Sequence, residues 1–458
     1  MLVPKLEQQM GIEAYATKCH GIGGVIRQNV EDFAVEEILV DGSKATVTPP
    51  AEHQVLGSSP VADRFLLCVL AKRNWDTFQA VRSVAEQLGI SAERIKFAGI
   101  KDAKAVTAQH ITIEGVSLEE TRKVHVKDLE IRPVGYFHSA LSAFYLHGNS
   151  FTITINAIDH AKPATEKRIS KTIKELASIG GVPNFFGHQR FGTTRCITHL
   201  IGKAIIQGDF RRAAMLLLAK PSPHEHSQSR EAREELHKTQ DFKKALEGFP
   251  KQLRYERLML KRLVEEPDDY VGAFRTLPSR LLELFVQAYQ SYLFNRFLSG
   301  RIKHGLRLDR AEVGDYVVKV DRSGLPMPRM HVTATDETLA EANNAVNAGK
   351  MLLALPLIGF KQQPSSGLQG EIERQVLKEE SVSPEDFRIE SLPEISSRGG
   401  LRTVLTPLDS FRVDEISEDL ADRSKCRARV SFVLRRGSYA TVVLRELMKP
   451  NDLIRAGF

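Results

Sequence analysis

Apolar and polar residues first alternate with period two, then with a helical period, then with period two again. Residues 33–38 read as a strand, as does the short apolar pair Val25-Ile26. Residues 64–70 form a continuous apolar run, the pattern of a strand buried on both faces. Residues 74–88 read as a helix that Asn74 can cap and Gly89 can end in the left-handed conformation. Residues 94–98 and 110–113 then read as short strands on either side of a Lys101-Asp102 turn. In 151–155, Phe151, Ile153 and Ile155 share one face, and Thr152 and Thr154 the other.

A helical period takes over at 164–179, with Ile169, Ile173, Leu176 and Ile179 on one side and Gly180-Gly181 as the stop. Helices are expected over 199–219, 229–246 and 279–298, the last ended by Gly300. Polar loops are expected at 221–229 and 361–371. Alternation returns at the end, where Ala428, Val430, Phe432 and Leu434 share a face. Gly437-Ser438 then turns the chain into a strand over 439–444. The order of elements predicts an α+β domain on a mainly antiparallel sheet, with a helix-rich segment inserted before its last strands.

Composition narrows the function classes. The chain has 458 residues, enough for two or three domains, and an ordinary 42% of apolar residues. Its longest apolar stretch, 351–360, is too short for a bilayer and contains Pro356. The N-terminus lacks a secretory pattern, so the expected location is the cytoplasm, with no membrane partner. Cys19, Cys68, Cys196 and Cys426 are far apart and read as free thiols. Cys196 and His199 lack a second ligand pair, so no metal site is expected. Net charge is +7, from 64 basic and 57 acidic residues, a tilt towards a polyanionic partner.

Several segments can carry chemistry. Lys101-Asp102 places a carboxylate beside a cation, which suits a nucleophile or base and equally a simple turn cap. Gly21, Gly23 and Gly24 precede an extended segment, so a dinucleotide loop is excluded. No phosphate-binding Gly-rich motif with Lys occurs either, and no nucleotide cofactor is expected. Asn149 and Phe151 open a strand and suit a base edge and face, or a turn and a core. Residues 183–192 combine three Phe, two Gly, Gln and Arg, which suits unstacked bases or a hydrophobic hinge. His188 within them can serve as an acid or base, or simply pack. Tyr439 follows a turn beside Arg435-Arg436, where a ring can stack and guanidinium groups can meet phosphate.

Six segments, in order, carry a resemblance. They are Glu31-Asp32-Phe33; Gly99-x-Lys101-Asp102-x-x-Ala105-Val106-Thr107-x-Gln109; Gly148-Asn149-x-Phe151; Pro183-Asn184-x-Phe186-Gly187-x-Gln189-Arg190-Phe191-Gly192; Gln290-Ser291-x-x-Phe294-Asn295; and Gly437-Ser438-Tyr439-Ala440-Thr441. Together they span nearly the whole chain and resemble the TruD family of tRNA pseudouridine synthases.

The resemblance implies a pseudouridine-synthase catalytic domain at 1–180 and 406–458, with an inserted, helix-rich TRUD domain at 181–405. The length of the insertion fits an archaeal-type chain. It implies isomerisation of uridine in tRNA without a cofactor, the family's usual target being position 13. Asp102 is the implied nucleophile. Phe33, Asn149 and Tyr439 are implied substrate contacts, and Phe151 the aromatic under the target base. Tyr439 stands where some members carry Phe. Lys101 and Glu31 are implied parts of the charged frame around Asp102. Arg27 occupies a basic position where some members have Lys; Arg holds its proton, so its role is electrostatic. The competing readings are a non-catalytic RNA-binding protein on the same fold and, last, a carboxylate glycoside hydrolase, for which Asp102 lacks an evident acid partner.

Overall fold

The computed structural model describes residues 2–49, 55–192 and 194–458. The chain forms two compact units, residues 17–182 with 406–458, and residues 1–16 with 183–405. The α+β class expected from the pattern holds in both. Residues 1–16, expected with the catalytic domain, group instead with the inserted unit. The reason is local: Asn295 Nδ2 donates to the Met10 carbonyl at 3.0 Å, Ser299 Oγ to the Gly11 carbonyl at 2.8 Å, and Glu13 pairs with Arg296 at 3.0 Å.

The first unit is built on an eight-stranded sheet. Its strands are β1 (Phe33–Leu39), β2 (Phe65–Arg73), β3 (Ile95–Phe97), β4 (Val106–Glu114), β5 (Leu129–Phe137), β6 (Leu146–Ile158), β7 (Asp409–Glu418) and β8 (Cys426–Arg435). Spatial order is β7-β8-β6-β1-β4-β2-β5, with β3 also on β4. Only the β1–β4 pairing is parallel; the others among these strands are antiparallel. Strand β2 is buried on both faces up to Arg73, as its unbroken apolar run predicts.

Helix α1 (Thr77–Leu88) covers one face, packing Ala80, Val81 and Val84 on Leu66, Cys68, Leu70, Ile111 and Ile113. Asp76, not Asn74, caps it, accepting from the amides of Phe78 and Gln79. Asn74 instead takes the left-handed φ of 56° that turns the chain out of β2. Gly89 ends the helix as expected, at φ 66°. Val25 makes only an isolated bridge to Asn156. Helix α2 (Lys162–Ser178) has a buried face that includes Ile169 and Leu176.

The expected strand at 439–444 is a helix, α3 (Ala440–Met448), and every residue of it is buried. Residues 442–444 are a short apolar run, and so short a run does not separate a strand from a buried helix. Its two charged residues, Arg445 and Glu446, pair at 2.7 Å with both side chains inaccessible.

The second unit is helix-rich around a four-stranded sheet of Tyr316–Val320, Pro326–Thr333, Met351–Leu357 and Gly400–Thr403. Its longest helix, Ser279–Lys303, runs through Gly300. That glycine is a packing position rather than a stop, because a Cβ there would strike the Ile372 side chain. The expected helix over 199–219 breaks into Thr198–Ile206 and Phe210–Ala219, the second capped by Asp209. Residues 229–246 likewise fall in Ser227–Thr239 and Phe242–Gly248, with Asp241 as a cap. Part of the expected 361–371 loop is helical, in Gly367–Glu380.

Candidate active site

The loop between β3 and β4 carries Lys101 and Asp102. Strand β1 pairs with β4 at residues 106–108, and β3 pairs with it at 111–113. Between them the His110 amide donates to Glu37 Oε2, at 2.9 Å. Backbone groups that leave a ladder need other partners, and here side chains supply them. Gln109 Nε2 donates to the Gly99 carbonyl at 3.0 Å. The Thr77 hydroxyl accepts from the Lys101 amide at 3.1 Å and donates to its carbonyl at 3.3 Å. Lys72 Nζ donates to the Asp102 carbonyl at 2.8 Å and to that of Trp75 at 2.7 Å.

The charges form two tiers. Beneath the loop, Lys101 Nζ meets Glu37 Oε1 at 2.7 Å, with the side chains 3% and 0% exposed. Burial alone would raise the Glu37 carboxyl; Lys101 and His110 outweigh it and hold the group below its ordinary value. Above, Arg27 Nη2 meets Asp102 Oδ1 at 3.2 Å, and the Asp102 side chain is 28% exposed. Arg27 has a left-handed φ of 58° and lies with its guanidinium carbon 4.1 Å from the Phe33 ring centre. Its Nη1 donates to the Gly457 carbonyl at 3.2 Å. Burial lowers its pKa while Asp102 raises it, and a guanidinium keeps its proton regardless. Lys72 is pushed down to about 8 by burial, against the pull of Asp102 and Asp76.

Sheet register aligns the remaining candidates. Lys72, Thr107, Val35, Phe151 and Phe432 are successive cross-strand partners, so one row crosses five strands on a single face. Glu37, Asn149 and Leu434 form part of the next row. Phe33 meets Phe151 edge-on at 6.2 Å, and Phe151 stacks on Phe432 at 5.5 Å. Phe33 and Phe151 are both buried. Asn149 is half-buried, and its Oδ1, Thr107 Oγ1 and Arg27 Nε are buried without a hydrogen-bond partner. Such atoms are uncommon in a folded protein. Tyr439 is half-buried at the first position before α3. Glu31 is exposed and pairs with Arg73, tying the start of β1 to the end of β2.

Three residues around the loop escaped the motif reading: Glu37, Lys72 and Thr77. Two had a signal. Glu37 stands on the inward face of β1 with Phe33, Val35 and Leu39, and Lys72 closes an apolar run. A charge at an apolar position needs a partner.

The aromatic segment 183–192 packs as core of the second unit. Phe185 and Phe191 are inaccessible, and the Arg402 guanidinium lies 4.0 Å over Phe186. Asn184 Nδ2 donates to Thr403 Oγ1 at 3.0 Å, and Asn295 Oδ1 accepts from the Phe186 amide at 2.8 Å. His188 is buried 3.4 Å from Glu7. His199 stacks on Tyr292 at 5.2 Å, and burial pushes it down to about 4. Among the described residues no three potential metal ligands cluster, and no helix is long and apolar enough to cross a membrane.

The sequence pattern of the family described as tRNA pseudouridine synthase D (TruD) matches residues 9–447. The chain belongs to the tRNA pseudouridine synthase D family. Among curated members, the probable tRNA pseudouridine synthase D of Methanosarcina acetivorans is 41% identical over 453 residues, 99% of each chain. That of Thermococcus sibiricus is 36% identical over 439 residues, 95% of this chain and 97% of the relative. A crystal structure of the putative tRNA pseudouridine synthase D from Methanosarcina mazei superposes with a TM-score of 0.83 at 41% identity, covering 99% of this chain and all of the other. The tRNA pseudouridine synthase D match thus runs through both units, including the Asp102 loop and the α3 turn.

Proposed function

We propose that this chain isomerises uridine to pseudouridine in tRNA, at position 13, with Asp102 as the nucleophile. One observation carries the assignment. Asp102 is a partly open carboxylate facing a guanidinium, on a loop whose backbone is held by side chains from three directions. A nucleophile needs this combination of access, charge and fixed position.

The target uridine leaves its stack to reach the loop. The N1–C1′ bond breaks, the freed uracil turns, C5 bonds to C1′, the C5 proton is lost and N1 gains one. Every atom of the nucleoside is kept and no electron is transferred to a second molecule, so the balance needs no cofactor. Asp102 enters either by forming an adduct at C1′ or by removing a sugar proton. Arg27 faces it with a fixed positive charge, and Lys101 with Glu37 supports the loop from below. Asn149 Oδ1 is an acceptor for a base N–H. The Tyr439 ring stacks, and Phe33 and Phe151 form the floor. Glu31 acts from the rim. A net charge of +7 supports the tRNA partner, and a cytoplasmic site of action follows from that substrate.

Asp102→Asn tests the proposal. Incubated in excess with unmodified tRNA, it should bind with near wild-type affinity and form no pseudouridine. Wild-type yield from this variant would remove Asp102 from the nucleophile's role.

A further inference from the structure

We infer that Lys72 is a positioning residue for the reaction, its ammonium gripping the main-chain carbonyl of the nucleophile's own residue. The inference rests on Asp102 being that nucleophile.

Lys72 lies near the end of β2, opposite Thr107 and one row from the loop. It is 2% exposed. Its two recorded acceptors are carbonyl oxygens, Asp102 O at 2.8 Å and Trp75 O at 2.7 Å. A buried ammonium is costly to desolvate, and here its protons go to two main-chain carbonyls that an apolar residue of similar length would leave without their donor. The lysine is therefore tied to the two segments it joins. The two carbonyls belong to the turn leading into α1 and to the catalytic loop. One cation joins them, as Thr77 joins the same two segments at Lys101. Removing the grip frees the Asp102 peptide to rotate while leaving the Arg27 pair and the loop sequence intact.

The groups acting on Lys72 are Asp102 and Asp76, which favour its charge, and Lys101, which opposes it; Thr107 across the strand is uncharged. Burial dominates and brings it down to about 8. The grip consequently weakens as pH rises through that value.

The experiment measures single-turnover rate constants and tRNA dissociation constants for wild type, Lys72→Met, Lys72→Arg and Asp102→Asn, each across pH. Lys72→Met should slow the chemical step about 100-fold, the penalty of a displaced catalytic group, with tRNA affinity changed less than about threefold. The wild-type rate should fall as pH passes about 8. Lys72→Arg, whose charge persists, should lack that fall. A Lys72→Met enzyme with the wild-type rate constant, or with its loss confined to tRNA affinity, overturns the inference. Should Lys72→Met not fold, the Lys72→Arg profile decides: an alkaline fall identical to wild type overturns it. An active Asp102→Asn strikes the nucleophile assignment instead. An inactive Asp102→Asn beside a normal Lys72→Met strikes only the role of Lys72.

Discussion

Glu37→Gln removes the carboxylate beneath the Asp102 loop and leaves the Lys101 ammonium buried without its counter-charge. The pair is 2.7 Å apart and both side chains are essentially inaccessible. Breaking one side of such a pair costs about 3–5 kcal/mol. The amide oxygen of Gln still accepts from the His110 amide, so the lower end, about 3 kcal/mol, is expected. With a urea slope of about 2–3 kcal/mol per molar, that moves the midpoint by about 1 M. The assay is built into the molecule. Trp75 is the only tryptophan; its Nε1 donates to the Lys127 carbonyl at 3.1 Å, within the unit that holds the pair. Its fluorescence follows that unit while the other unit remains silent, which matters because a two-unit chain need not unfold in one step. Glu37→Gln with Lys101→Met should be less destabilised than the two single changes summed, by roughly 2 kcal/mol. The Glu37 carboxyl is depressed, so its contribution is present above the ordinary 4.5 and is lost as pH falls through the lower folded value. Wild type and Glu37→Gln should therefore converge in acid. A coupling below about 0.5 kcal/mol would refute the idea that this pair underpins the loop.

Gly202→Ala should destabilise the second unit by about 1–3 kcal/mol or more, because the added methyl overlaps the Phe285 carbonyl where Thr198–Ile206 crosses Ser279–Lys303. Thermal unfolding by circular dichroism measures it, and an unchanged transition would mean the helices are not in such close contact. His199 is held neutral, its pKa pushed from 6.5 to about 4. Its folded value lies below the unfolded one, so stability should decline as pH falls from about 6.5 to 4, by up to about 3 kcal/mol. His199→Phe, which keeps a ring against Tyr292, should flatten that decline in urea titrations; a slope identical to wild type would show that His199 does not titrate there.

The strands that place the site were legible where one face is wet and the other dry. Alternation in β6 and β8 put Phe151 and Phe432 on the apolar faces of their strands, and both are buried there. What alternation could not convey is register. Lys72, Glu37 and Thr77 come from β2, β1 and α1, and nothing local says that they converge on residues 99–102. That convergence depends on β1 and β3 sharing one edge of β4. The same limit explains segment 183–192. Its Phe, Asn and Arg fit RNA or a core equally well, and only the positions of Asn295, Arg402 and Thr403 separate the two. In α3 the failure was different: the apolar run of residues 442–444 is too short to separate helix from strand.

Strand β8 pairs with β6 along its length, joining Asn149 to Leu434 and Phe151 to Phe432 across the whole inserted unit. On the ribosome, residues 183–405 therefore emerge before the sheet can close. Until β8 arrives, β6 waits with an open edge, and the aromatic floor lacks Phe432 while the turn bearing Tyr439 has not been made. Translation that stalls inside the insertion thus leaves a chain whose Asp102 loop is already synthesised while the sheet around it is incomplete. The inserted unit is in this way enclosed in sequence by a sheet that only its own completion allows to close.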